Sequence, residues 1–191
     1  ENSNITFVAA LALVLQLKSD LKGTYQAENM KGVYVAYLRL KEAGWKLQLA
    51  DLKNGLENVV SNTQIRGRWE ILQHHPTIIA ETAHNEEGLS LALQQLKTLN
   101  GDKIHFVIGL VKDKNTEQIL QLFPPNATYY FCEAAIPRAL DHRTLLDFAK
   151  RMGLEGSSFA TVNEALTSEK QCAQKSDIIY VGGSNFIVAE V

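Results

Sequence analysis

Cysteine is scarce in this chain, with two residues among 191. Cys132 and Cys172 are too few and too far apart for a disulfide framework or a zinc motif. Their neighbours are largely apolar, so both are expected as reduced thiols acting as small hydrophobes. Proline is also rare, and Pro76, Pro124, Pro125 and Pro137 all lie beyond residue 75. Long apolar runs are missing: the 13 residues Ile5–Leu17 are too few to span a bilayer, and no basic stretch precedes them as in a signal peptide. Neither sign of charge dominates, with 19 Lys+Arg against 21 Asp+Glu, a net charge of −2 and a pI near 6.2. The broad basic footprint of a nucleic-acid binder is therefore absent. So are the phosphate loop G-x-x-x-x-G-K-[ST] and the nucleophile elbow G-x-S-x-G.

What remains is ordinary globular composition, 46% hydrophobic, 21% charged and 8% aromatic, at a length that suits one large domain or two small ones. Within Ile5–Leu17 every odd position is apolar, which predicts buried strand structure, as one strand or as two with a turn between. Met30, Val33, Tyr34, Tyr37 and Leu38 follow helical spacing, and Gly44 is a natural stop. Leu49, Leu52, Leu56 and Val59 predict a second helix over 49–60. The polar stretch ending at Gly67 marks a domain boundary, giving domains 1–65 and 66–191.

Beyond the boundary the rhythm changes. The short runs WEIL, TIIAE, IHFVIGL, TYYFCE and DIIYVGG, and a last apolar stretch NFIVAEV, alternate with amphipathic segments 86–99, 115–123, 140–152 and 162–174. Such alternation predicts an α/β fold, a Rossmann-like and mainly parallel sheet with helices on both faces. Ligands in such sheets bind at the carboxyl ends of the strands. Polar residues collect there at four places: 82–88, 110–114, 134–138 and 184–185.

Glu81 to Gly88 is the most informative segment. Asn85 suits the N-cap of a helix starting at Glu86, with Glu86 and Glu87 at its positive end. One outcome is a capped helix with a hydrogen-bonding histidine. The other puts Glu81 and His84 against a ligand, the carboxylate on a ribose hydroxyl and the imidazole on a substrate carboxylate or phosphate. Asp113 and Lys114 suit a solvated turn or the rim of that site. Gly182-Gly183-Ser184 would let backbone approach a ligand closely. His74 and His75 fall in an expected turn and match no metal motif.

Six segments then stand in register: LKGTYQAEN (21–29), GRWEIL (67–72), ETAHNEEG (81–88), GLVKDKN (109–115), PRAL (137–140) and VGGSNFIVAEV (181–191). Together they resemble the C-terminal portion of folylpolyglutamate synthase/dihydrofolate synthase, a member of the Mur ligase superfamily. The resemblance implies an ATP-dependent amide ligase. In it, ATP activates a carboxylate of dihydropteroate or folate as an acyl phosphate, and the amine of L-glutamate attacks. By the same resemblance Asn29, Arg68 and Glu81 bind ATP at its adenine, phosphates and ribose, although the family has aspartate where Glu81 stands. His84, Asn85 and Ser184, the last on a terminal GS strand, bind the glutamate substrate. Glu86 replaces the family's usual proline, and Gly182 its common threonine. The resemblance further implies Mg²⁺ held by upstream residues, a cytoplasmic and usually monomeric enzyme, and no membrane or nucleic-acid partner. Residues 1–65 become the tail of the central ATP-binding domain, and the chain alone is expected to be inactive. The alternatives are a muramyl-peptide ligase domain and a stand-alone nucleotide or amino-acid binding module.

Overall fold

A computed structural model describes residues 3–8, 14–112 and 115–191. It separates the chain into two compact units, Glu1–Arg68 and Trp69–Val191, a few residues past the expected boundary.

The first unit opens with an antiparallel pair, β1 (Ser3–Val8) and β2 (Val14–Ser19), in register from Ser3↔Ser19 to Val8↔Val14. The alternating stretch therefore forms two strands, and residues 9–13 between them lie outside the described residues. Helix α1 (Gln26–Glu42) follows. It stops where the Gly44 and Trp45 N–H groups donate back to the Lys41 and Leu40 carbonyls, a Schellman arrangement. The predicted second helix is two: α2 (Leu49–Glu57) and α3 (Val59–Thr63), broken at Asn58. Leu17, Met30, Tyr37, Leu52 and Leu56 form the small core. The apolar face of α1 is narrower than its spacing suggests, since Val33 and Leu38 are 44% and 40% exposed.

In the second unit a six-stranded sheet runs in the order β3-β4-β8-β5-β6-β7. Its strands are β3 (Glu70–His74), β4 (Thr77–Glu81), β5 (Ile104–Ile108), β6 (Thr128–Cys132), β7 (Gly156–Phe159) and β8 (Ile178–Gly182). All neighbours pair in parallel except β3, which joins β4 as an antiparallel edge. His74 and His75 sit exposed at the β3–β4 turn. On one face α4 (Glu86–Leu96), α5 (Thr116–Leu120) and α6 (His142–Arg151) bury Leu89, Leu93, Ile119, Leu120 and Leu145 against Ile79, Phe106, Tyr129 and Tyr180. On the other, α7 (Val162–Cys172) and α8 (Asn185–Val188) bury Val162, Ala165 and Ile187 against Val107, Ile179 and Val181. Each fully buried large side chain contributes roughly 1.5–3 kcal/mol by leaving water, so both faces hold the sheet between helices.

Three expectations need correction. The terminal GS segment is not a strand: Ser184 caps the short helix α8, because β8 ends at Gly182 and Gly183 turns the chain away. β7, with sequence GSSF, carries no apolar run and so gave no strand signal; pairing with β6 at the sheet edge makes it one. Cys132 is buried as expected, whereas Cys172 is exposed; both are free thiols. Among the described residues no helix is long and apolar enough to cross a membrane.

Candidate functional site

The chain order reverses around β8, which inserts between β4 and β5 after α7 carries the chain back across the sheet. A crevice at the carboxyl ends of these strands is the general ligand position of an open α/β sheet. Gly182 pairs with Glu81 on one side and Ile108 on the other, so the ends of β4, β5 and β8 meet at one level. The segments starting at Thr82, Gly109 and Gly183 leave the sheet together.

Glu81, expected on a ribose, is fully buried. Its Oε2 accepts the Trp69 N–H at 3.0 Å and its Oε1 the Ala83 N–H at 2.9 Å. A buried carboxylate is tolerated when backbone donors satisfy it, and here it joins the start of β3 to the loop after β4. These two bonds give Glu81 a bracing position. Trp69 has φ of +52°, a left-handed conformation unusual for a large side chain, and its indole is buried beneath this brace.

His84 is exposed at the β4 end, and its Nδ1 lies 3.0 Å from the Thr82 carbonyl. A carbonyl only accepts, so Nδ1 carries a proton and the neutral ring keeps its lone pair on Nε2. Asn85 is the N-cap of α4, with Oδ1 accepting the Gly88 N–H at 2.9 Å. With Glu86 and Glu87 already in the first turn, that helix end is not a ready anion cradle.

Ser184 is 3% exposed, and its Oγ accepts the Phe186 and Ile187 N–H groups at 3.1 and 3.4 Å, capping α8. Two glycines bring β8 close to its neighbours here. A Cβ on Gly182 would lie 2.7 Å from the Glu81 carbonyl oxygen. Gly183 has φ of +90°, and a Cβ there would lie 2.8 Å from the Gly109 carbonyl oxygen.

A feature with no sequence signal closes the other side. The loop after β5 pairs antiparallel with the segment after β6: Leu140 N–H donates to the Leu110 carbonyl at 2.9 Å, and Lys112 N–H to Arg138 at 3.0 Å. The Lys112 Nζ adds a bond to the Pro137 carbonyl at 3.2 Å. GLVK and PRAL thus form one small ladder, which accounts for two motifs at once. Asp113 and Lys114, the expected rim, lie outside the described residues.

The structure therefore gathers Glu81, His84, Asn85 and Ser184 around the β4 and β8 ends. Asn29 and Arg68 belong to the first unit. Asn29 is exposed on α1 and donates to Gln26 Oε1 at 2.8 Å, and Arg68 is exposed at the unit's last position. Among the described residues no three His, Cys, Asp or Glu side chains are grouped to hold a metal ion. An open cleft of about 810 Å³, lined in part by Lys97, Lys103 and Pro125, lies at the amino ends of β5 and β6 and contains none of the candidates.

A mainly parallel sheet with polar loops at its switch point, braced by a buried acid and presenting a histidine, defines an open α/β domain of the doubly covered kind. Residues 67–185 match the family described as Mur ligase, glutamate ligase domain, and the chain belongs to that family. It is 28% identical over 180 residues to a probable bifunctional folylpolyglutamate synthase/dihydropteroate synthase of Haloferax volcanii, covering 94% of this chain and 21% of that protein. It is 24% identical over 181 residues to the dihydrofolate synthase/folylpolyglutamate synthase of Bacillus subtilis, covering 92% of this chain and 40% of the relative. The chain thus spans well under half the length of these relatives. The fold resembles that of Mycobacterium tuberculosis folylpolyglutamate synthase complexed with ADP, with TM-score 0.75, 21% identity, and 91% of this chain and 40% of that one covered. Escherichia coli FolC in complex with DHPP and ADP is similar, with TM-score 0.74, 21% identity, and 97% and 42% covered.

Proposed function

We propose that this chain is part of an ATP-dependent ligase that joins L-glutamate to dihydropteroate or folate through an acyl phosphate. The observation that carries the proposal is the Ala83-His84-Asn85 segment. It leaves β4 at the switch point, beside the glycine backbone of β8, in a domain of the glutamate ligase family. The names of the relatives, folylpolyglutamate and dihydrofolate synthases, point to the pterin substrate.

In this proposal ATP transfers its γ-phosphoryl group to the pterin carboxylate, and the glutamate amine displaces phosphate to form the amide. Catalysis of such a step rests on positioning and on neutralising phosphoryl charge. His84 serves the incoming amino acid: its proton-free Nε2 suits an ammonium or amine N–H, while Nδ1 stays engaged with the Thr82 carbonyl. Asn85 holds α4 in place behind it. Ser184 contributes by setting α8 and the β8 end. Arg68 and Asn29 are assigned to the phosphates and adenine of ATP, and Asp113 and Lys114 to the rim. Residues 1–65 are assigned to the tail of the ATP-binding domain and 66–191 to the glutamate ligase domain. The enzyme is assigned to the cytoplasm as a monomer, with neither membrane nor nucleic acid as partner.

The test is ADP release, measured on this chain and on the full-length enzyme, with dihydropteroate or tetrahydrofolate, L-glutamate, ATP and Mg²⁺. The expected result is turnover by the full-length enzyme and none by the 191-residue chain, whose sequence holds no phosphate loop. Replacing His84 with Ala in the full-length enzyme should raise the glutamate KM or depress kcat. Turnover with a UDP-muramyl peptide in place of the pterin would overturn the substrate assignment.

A further inference from the structure

The brace made by Glu81 has a second end. Its Oε1 accepts the N–H of Ala83, and that N–H shares a peptide group with the carbonyl of Thr82. The same carbonyl receives His84 Nδ1 at 3.0 Å. The two bonds, 2.9 and 3.0 Å, therefore act on opposite ends of one planar trans amide. A carboxylate on the N–H polarises the amide and makes its oxygen a better acceptor, as in any hydrogen-bond chain of low dielectric. It also fixes the rotation of the peptide plane, because Glu81 is fully buried and its other oxygen is tied to Trp69 N–H.

We propose that Glu81 is a positioning residue that acts on His84 through the Thr82–Ala83 peptide. By holding that plane it keeps the proton of the neutral ring on Nδ1 and the lone pair on Nε2. The logic is that of an outer-shell partner fixing the tautomer of a functional histidine, with a backbone amide inserted between carboxylate and ring. The Trp69 bond has a separate task, steadying the left-handed residue that begins the second unit. What His84 contacts rests on the proposed function; its tautomer does not.

Substitutions separate the two arms. Glu81→Gln keeps the size of the side chain but offers one acceptor oxygen where two N–H donors converge, and sets an NH₂ group against one of them. Glu81→Asp keeps the charge and still reaches the N–H two residues on, the geometry of an Asx turn, but is too short to hold Trp69 as well. The experiment is ¹⁵N NMR of the 191-residue chain, reading the His84 ring nitrogens above their titration range together with the exchange of the Ala83 and Trp69 amides.

The wild type should show His84 protonated on Nδ1, with both amides protected. In Glu81→Gln the ring should shift toward the Nε2–H form, and Ala83 should exchange about ten- to a hundred-fold faster, as expected on losing a charged hydrogen bond. In Glu81→Asp the tautomer should remain while Trp69 exchanges faster. A predominant Nε2–H form in the wild type would overturn the inference without any variant. An unchanged tautomer in Glu81→Gln, with Ala83 deprotected, would overturn it equally. Should Glu81→Gln not fold, the wild-type spectrum and Glu81→Asp decide, a lost Nδ1–H form in the latter counting against the inference. A wrong substrate assignment would leave all these spectra as expected, so the failures are distinguishable.

Discussion

Replacing Glu169 with Gln should flatten the pH dependence of stability in the second unit. Glu169 lies on α7, fully buried, with Oε1 at 3.6 Å from His105 Nδ1 on β5. The other ring nitrogen of His105 lies 3.3 Å from Asp177 Oδ2, just before β8, so one imidazole sits between two carboxylates. Burial, and then the Asp177 charge, push the Glu169 carboxyl from 4.5 up to about 7, against a smaller opposing pull from Lys170. The folded state therefore binds this proton more tightly than the unfolded chain does. The stabilisation is complete below pH 4.5 and is lost as the pH rises through about 7. The gap corresponds to an upper value of about 3 kcal/mol, and relaxation around a coupled buried cluster reduces it to about 2 kcal/mol. At an m-value of about 2 kcal/mol/M that is a fall of about 1 M in urea midpoint.

The assay is urea unfolding between pH 5 and 8, followed by the fluorescence of buried Trp69 in a Trp45→Phe background, since Trp45 is 62% exposed in the first unit. Asp141 does not confuse the result. Hydrogen bonds from Thr144 hold its carboxyl below the usual value of 3.8, so its contribution is lost only as the pH falls beneath this window. The wild-type midpoint should fall with pH, and that of Glu169→Gln should stay level. A wild-type midpoint that is constant or rising, or a variant that keeps the slope, refutes the reasoning.

Two further substitutions test the site's construction. Gly183→Ala forces a Cβ into a left-handed residue 2.8 Å from the Gly109 carbonyl oxygen, and should cost about 2–4 kcal/mol in urea unfolding; a loss under 1 kcal/mol would show that the β8 end can shift. Ser184→Ala removes the cap of α8 and should cost about 1 kcal/mol, so an unchanged midpoint would deny the serine its structural task.

The alternation of apolar runs and amphipathic segments was enough to foresee a covered parallel sheet, because strands buried on both faces must be apolar throughout. IHFVIGL and DIIYVGG are nearly so, His105 being the buried polar exception in the first, and β5 and β8 are central. Edge elements were harder to read. β7 is half exposed and its GSSF needs only backbone pairing to become a strand, so it leaves little trace in side-chain pattern. NFIVAEV read as one more apolar run, yet the cap at Ser184 starts a helical turn whose Ile187 reaches the same core as a strand residue would. The spacing of α1 implied a wider buried stripe than the first unit covers.

The site divides in the same way. That Asn85 would cap a helix, and that His84 would stand at a strand end, follows from local rules, since an N-cap acts within four residues and strand ends follow from periodicity. The task of Glu81 could not be read locally. An acid after an apolar run suits a ligand as well as a brace, and the choice depends on where Trp69 lies in space. Likewise the bonds of GLVK to PRAL, and the meeting of Glu169, His105 and Asp177, join residues distant in the chain.

The sequence by itself determined the class of fold, the order of its elements and the loops from which a site could be built, because burial periodicity and capping act over short stretches. Only the tertiary structure decided that β8 would insert between β4 and β5, that a buried carboxylate would hold one peptide plane, and that a histidine would be oriented through it. Hydrogen bonds between groups far apart in sequence exist only once the sheet has closed, and no local pattern encodes which donor a buried acid will meet.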